Sequence, residues 1–179
     1  RVSGSATVAY DASTGQEIWI ARMPGGTGPL NGNDMAAVTV SPDGSTVYTT
    51  GQVSHESSSA YLTAAYDAAT GAQLWRTVYN GPTGSNAADA VTASPDGNTV
   101  YVTGEADPFV AGTTTIRASD YATVAYDAAT GARLWATIRQ GASGQHLVAA
   151  RSVAVSPDNS TVFVSGYANG AIVTLAYQG

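Results

Sequence analysis

Ala9-Tyr10-Asp11-Ala12-Ser13-Thr14-Gly15-Gln16-Glu17-Ile18-Trp19 is the stretch whose reading decides the fold. It returns as Ala65 to Trp75 (AYDAATGAQLW) and as Ala125 to Trp135 (AYDAATGARLW), and a further copy begins at Ala176-Tyr177. All three tryptophans of the chain hold the last position of this unit. Residues 5–10 (SATVAY), small and β-branched, read as a strand. An Asp side chain accepts hydrogen bonds from backbone N–H groups further on, and Gly takes positive φ, so residues 11–15 form a turn. Residues 17–22 (EIWIAR) alternate in character and read as the return strand.

A second unit alternates with the first: Val40 to Tyr48 (VSPDGSTVY), Ala93 to Tyr101 (ASPDGNTVY) and Val155 to Phe163 (VSPDNSTVF). In Ser41-Pro42-Asp43-Gly44 the proline fixes φ and the glycine closes the turn. Asn159 takes the glycine's place in the third copy, and Asn is the next most tolerant residue of left-handed backbone. Strands at 36–40 and 46–50 flank this turn; strands at 62–66 and 73–78 flank the next DAxTG turn. Four strands with two turn signals, repeating every 55 to 60 residues or so, is about the size of a propeller blade. No segment keeps a helical period. The expected fold is all-β: a β-propeller of four-stranded antiparallel blades, about three repeats with split blades at both termini. Taken as one array over 1-179, it parses as a half blade at 1-35, blades at 36-80 and 89-140, and an incomplete blade at 151-179.

In such a meander the SPDG-type and DAxTG-type turns share one end of each blade. The irregular segments 23–35, 52–60, 80–89, 105–120, 140–150 and 167–170 share the other, and read as loops. Binding on a rigid scaffold is carried by variable loops, so contacts are expected on that end.

The composition bounds the function. A chain of 179 residues that is 44% hydrophobic builds one core-forming domain. The net charge is −6, and six of the thirteen acids are turn aspartates: Asp11, Asp43, Asp67, Asp96, Asp127 and Asp158. The seven basic residues are all arginine and scattered, which excludes a nucleic-acid footprint. No apolar run is long enough for a membrane span. There is no cysteine, hence no disulfide or thiolate metal site. The chain opens on Arg1, which reads as a processed form or a piece of something longer.

The pattern A-x-D-x-x-T-G-x-x-x-W at 9–19, 65–75 and 125–135 resembles the tryptophan-docking motif of bacterial quinoprotein-type (PQQ-like) β-propellers. The S-P-D-G-x-x-V-Y-V-T-G element is similar to the YVTN-type propeller repeat. The resemblance implies an extracytoplasmic, secreted or cell-surface bacterial protein. It also implies that each Trp packs between neighbouring blades near Gly15, Gly71 and Gly131, with Asp11, Asp67 and Asp127 as turn residues around Trp19, Trp75 and Trp135. The quinone-binding enzymes of the family also bring a vicinal disulfide, which a chain without cysteine cannot form, so their activity is not carried over.

His55 and His146, the two histidines, fall on expected loops; with Glu56 they suggest a metal pair, but no ligand spacing is present. Glu105 and Asp107 precede Pro108 and read as solvated loop charge rather than a general acid and base. The calcium-loop pattern and the G-x-S-x-G elbow are both missing. Gly25-Gly26-Thr27-Gly28 runs into Pro29 rather than a phosphate-binding helix. Tyr79, Phe109 and Tyr167 stand outside the repeat register and read as exposed contact residues. With His55, Glu56, Asp107, Arg117 and His146 they make up the candidate loop-face contacts. No catalytic residue, cofactor or metal ligand is assigned.

About three repeats do not close a ring, and unpaired blade edges need cover. The expected partners are therefore further copies in a homo-oligomer, or the remainder of a larger propeller, with a protein or glycan ligand besides. The function expected is a non-enzymatic scaffold or interaction module. Two alternatives stand beside it: part of a quinoprotein-like oxidoreductase or hydrolase whose active-site residues lie outside this chain, and a lectin-like glycan-binding propeller.

Overall fold

A computed structural model of the chain describes residues 4–25, 32–55, 58–81, 84–106, 120–139, 148–168 and 171–178. The described residues form strands and turns and contain no helix. The first sheet is the hairpin β1 (Ser5–Tyr10) and β2 (Glu17–Met23). The second is β3 (Asn33–Val40), β4 (Thr46–His55), β5 (Ser58–Asp67) and β6 (Gln73–Tyr79), paired in that order. The third repeats the arrangement with β7 (Asn86–Ala93), β8 (Thr99–Ala106), β9 (Asp120–Asp127) and β10 (Arg133–Arg139). The fourth holds β11 (Val148–Val155), β12 (Thr161–Ala168) and β13 (Ala171–Gln178). Within the four sheets every strand pairing is antiparallel and joins consecutive strands, the construction of propeller blades.

The two turn types form for local reasons. Asp11 Oδ1 accepts from the backbone N–H groups of Ser13 and Thr14 at 3.0 and 2.8 Å and from both hydroxyls. Asp67 and Asp127 hold Thr70 and Thr130 the same way. In the SPDG turns the Ser41 hydroxyl donates to Asp43 at 2.6 Å and accepts from the Thr46 N–H at 2.9 Å. Asn159 keeps the third such turn, at φ 62°. Both turn types lie at one end of a blade, where the Ala68 N–H donates to the Ser45 carbonyl and the Ala128 N–H to the Asn98 carbonyl.

These hydrogen bonds hold the six carboxyls below the ordinary Asp value. For Asp11 the Ser13 hydroxyl contributes most, for Asp43 Ser41 and for Asp158 Ser156, each bringing the pKa from 3.8 down to about 2. A carboxylate whose folded pKa is depressed stabilises the fold above its unfolded value and loses that contribution as pH falls through the folded one. The melting temperature is therefore expected to hold down to about pH 4 and fall between there and about pH 2. Circular-dichroism melts across that range check this; a flat profile to pH 2 would refute it.

Each complete sheet carries two bulges. In the first strand of the blade the extra residue is Ala36, Asp89 or Arg151. The neighbouring strand answers each bulge with a glycine. A Cβ on Gly51, Gly104 or Gly166 would come within about 2 Å of the bulged backbone, at the Asp34, Ala87 or Ala149 carbonyl. The T-G or S-G after the hydrophobic run is thus a packing requirement of the bulge. A second bulge, in the last strand, leaves Ile18, Leu74 and Leu134 exposed beside the buried or half-buried tryptophans.

The sheets stack face to face. Ala21 and Met23 of the first pack on Val53, Leu62 and Tyr66 of the second. Tyr48, Tyr61 and Trp75 of the second meet Val100, Val102 and Tyr126 of the third. Tyr101, Tyr121 and Trp135 of the third meet Val162, Val164 and Tyr177 of the fourth. β3, β7 and β11 lie next to one another, so the first strands of successive blades gather on the inside.

Several expected loops are shorter than composition suggested. Residues 52–55 and 58–60 extend the pairing of β4 and β5, with Val53 opposite Ala60, Ser54 opposite Ser59 and His55 opposite Ser58. The strands also begin three residues earlier than parsed, at Asn33, Asn86 and Val148. Serine and glutamine are poor strand formers by composition, but pairing satisfies the backbone and buries Val53 and Ala60 between blades.

Candidate functional site: the dock between blades

Trp19 and Trp75 reach past their own turns to the next blade. Trp19 Nε1 donates to the Ala68 carbonyl at 2.9 Å, and Trp75 Nε1 to the Ala128 carbonyl at 2.9 Å. Both carbonyls belong to the DAxTG turn of the following repeat. The rings lie flat over that turn's glycine: a Cβ on Gly71 would be 2.7 Å from the Trp19 ring, and one on Gly131 2.6 Å from the Trp75 ring. The contact is thus heterologous: Trp from one repeat, Gly and carbonyl from the next. Gly15 has no atom of this kind within 4 Å. Trp135 is half-buried against Tyr101 at 5.8 Å, and among the described residues no carbonyl receives its N–H.

The two docks join the first sheet to the second and the second to the third. The profile of the PQQ_2 family, described as outer membrane protein assembly factor BamB, matches residues 3–178. The chain belongs to the PQQ_2 family. No curated protein matches it.

The inner strands of this PQQ_2 chain carry a further polar contact. The bulges of β7 and β11 bring Arg151 Nη1 to 2.8 Å from Asp89 Oδ1. Burial pushes the Asp89 carboxyl up, the arginine pulls it back, and Glu105 adds a smaller upward push. The corresponding residue of the second sheet is Ala36, so the pair is particular to one junction. At the turn end, a cavity of about 380 Å3 opens between the second and third blades, lined by Pro42, Asp43, Tyr48 and Gly97 among others. At the next junction the Asn159 side chain reaches across to the Asp96 N–H, which the glycine at 97 cannot do.

The candidate contacts of the loop end do not gather. Tyr79 is buried rather than exposed: its ring meets Tyr61 edge-on at 5.7 Å and lies under the Arg133 guanidinium. It pairs with Tyr61 across β5 and β6, which turns it into the next blade. Tyr167 sits in β12, opposite Ile172, and is 44% exposed. His55 closes β4 opposite Ser58. Glu56, Asp107, Phe109, Arg117 and His146 lie outside the described residues. Among the described residues no three His, Cys, Asp or Glu side chains come together as a metal site, and the chain has no cysteine. These residues do not fit a quinone centre of the kind the family resemblance implies.

Sequence reasoning passed over Asp89, Arg151, Asn33 and Asn86. The two asparagines are buried where β3 and β7 begin. Asn86 donates to the Asn80 and Ser59 carbonyls at 3.0 and 3.1 Å, and Asn33 to Pro24 at 2.9 Å, tying each crossover loop to its blade. Their shared place in NGND and GSNA, just before a small-residue strand, was the available signal. Nothing local marks Asp89 and Arg151, which meet across 62 residues.

Proposed function

We propose that this chain is a non-enzymatic scaffold of the extracytoplasmic bacterial kind, built of YVTN-like PQQ repeats as one array, which works by holding a protein partner. One observation carries the reading: Phe163, Tyr167 and Ile172 stand 42%, 44% and 82% exposed on a single face of the fourth sheet. Tyr167 and Ile172 are directly opposed across β12 and β13, and Phe163 lies four residues along the same strand. Large apolar side chains grouped on one face mark a contact surface. The six turn carboxylates are already engaged as acceptors within their turns, which suits a structural rather than a chemical role.

A photocrosslinking amino acid placed at Ile172 in the producing cells tests this. A discrete protein adduct is expected there and not from the same probe at Leu134, an exposed apolar residue on another strand. No adduct at 172, or equal adducts at both positions, would overturn the reading.

A further inference from the structure

The SPDG turns of the second and third sheets are built alike. Ser41 and Ser94 donate to Asp43 and Asp96, and accept from the N–H groups of Thr46 and Thr99. The turns differ in what the next blade brings to them. Beside the third sheet's turn stands Asn159, whose Oδ1 accepts from the Asp96 N–H at 3.3 Å. Beside the second sheet's turn stands Gly97, which has no side chain to send; a Cβ there would come 3.8 Å from Pro42 Cδ. Among the described residues no side chain crosses to the Asp43 N–H. The room that Asn159 takes at one junction is, at the other, part of the cavity of about 380 Å3 that Asp43 and Gly97 both line. That volume is of small-ligand size.

The walls select the ligand. Pro42, Tyr48, Leu74, Ala128 and Ala129 give an apolar lining, and Asp43 and Asp96 add two carboxylates with no arginine among the described residues of the wall. Asp43 Oδ2 and Asp96 Oδ2 each receive one donor, from Ser45 and Asn98, and can take another. An anionic ligand is repelled by these two charges. A cation has no acceptor to offer the Asp43 N–H. A primary carboxamide meets both demands, because its oxygen accepts and its NH2 group donates twice. It is also the group that the next junction already uses. We infer that this cavity binds a primary carboxamide, the side chain of an asparagine or glutamine presented by a peptide, with its oxygen on the Asp43 N–H. The inference goes beyond the scaffold reading: the cavity lies at the turn end and is lined by none of Phe163, Tyr167 and Ile172.

Nuclear magnetic resonance of the isotope-labelled chain, titrated with asparagine blocked as its N-acetyl N-methylamide, tests this. The Asp43 amide signal is expected to shift and saturate, while that of Asp158, in the matching turn of the fourth sheet and outside the cavity, stays in place. Aspartate blocked in the same way differs only in its side chain. It is expected to bind about tenfold or more weakly, because hydrogen bonds to charged acceptors become like-charge contacts. Gly97→Asn is expected to close the cavity with the contact that Asn159 makes. Asn159 already holds φ 62°, near the 75° of Gly97, so the thermal melt is expected to be kept and the Asp43 shift lost. No saturable shift at Asp43, equal affinity for the blocked aspartate, or undiminished binding to Gly97→Asn would overturn the site. Tighter binding of N-acetylglucosamine than of the blocked asparagine would overturn the ligand class. The comparison with aspartate needs no variant, so it decides the matter even where Gly97→Asn fails to fold.

Discussion

Trp75→Ala is expected to lower the unfolding free energy by about 3–5 kcal/mol, the range for removing a large aromatic from a packed interior. The ring is 8% exposed, meets Tyr48 at 5.9 Å and covers Gly131 of the next blade. Its loss opens a cavity between two sheets rather than within one, so the neighbouring blades cannot close over it without breaking their register. Trp75→Phe separates packing from the hydrogen bond. It keeps most of the ring but leaves the Ala128 carbonyl only the 3.5 Å contact from the Tyr48 hydroxyl, at a cost of about 1 kcal/mol. Trp135→Ala is expected to cost clearly less than Trp75→Ala, because the ring is only half-buried. Urea unfolding of the three variants checks the order, with the slope of each transition showing whether unfolding remains two-state. Equal losses at 75 and 135 would mean that the docking turn adds nothing to the tryptophan's own-blade contacts.

Gly131→Ala should cost well beyond Gly15→Ala, although the two glycines share a φ of 70°. At both positions an L side chain must adopt left-handed backbone, at roughly 1–2 kcal/mol. At Gly15 the new methyl meets open space. At Gly131 it would sit 2.6 Å from the Trp75 ring, and displacing a packed indole adds about 1–3 kcal/mol. The difference between the variants therefore measures the dock, with backbone strain cancelled. In a Trp75→Ala background the penalty at Gly131 should shrink to that at Gly15, since residues in contact couple and separated ones do not. An unchanged penalty in that background would show that backbone strain alone sets the cost.

Both predictions depend on features legible at different depths. The DAxTG and SPDG turns can be read from a few neighbouring residues, because an Asp or Ser side chain that bonds backbone two or three residues away carries its whole reason with it. Asn159 in place of glycine is readable for the same reason: left-handed tolerance belongs to the residue itself. The extent of the strands was less legible. Residues 52–60 look like a polar loop, yet 52–55 and 58–60 pair as strands, because the partner strand supplies hydrogen bonds that composition does not register. Tyr79 looked available for contact because it breaks the repeat; pairing with Tyr61 turns it inward.

The sequence by itself determined the repeating unit, the all-β class, the antiparallel order and the role of the turn aspartates, since all of these follow from local bonding and from the spacing of identical segments. Only the tertiary structure decided that Trp19 and Trp75 dock on the following turn rather than their own. It likewise decided that Gly104 is there to admit a bulge and that Asp89 meets Arg151. The reason is that these depend on how one blade is stacked against the next. A one-dimensional repeat makes every copy look equivalent, and only the stacking shows which faces have been used.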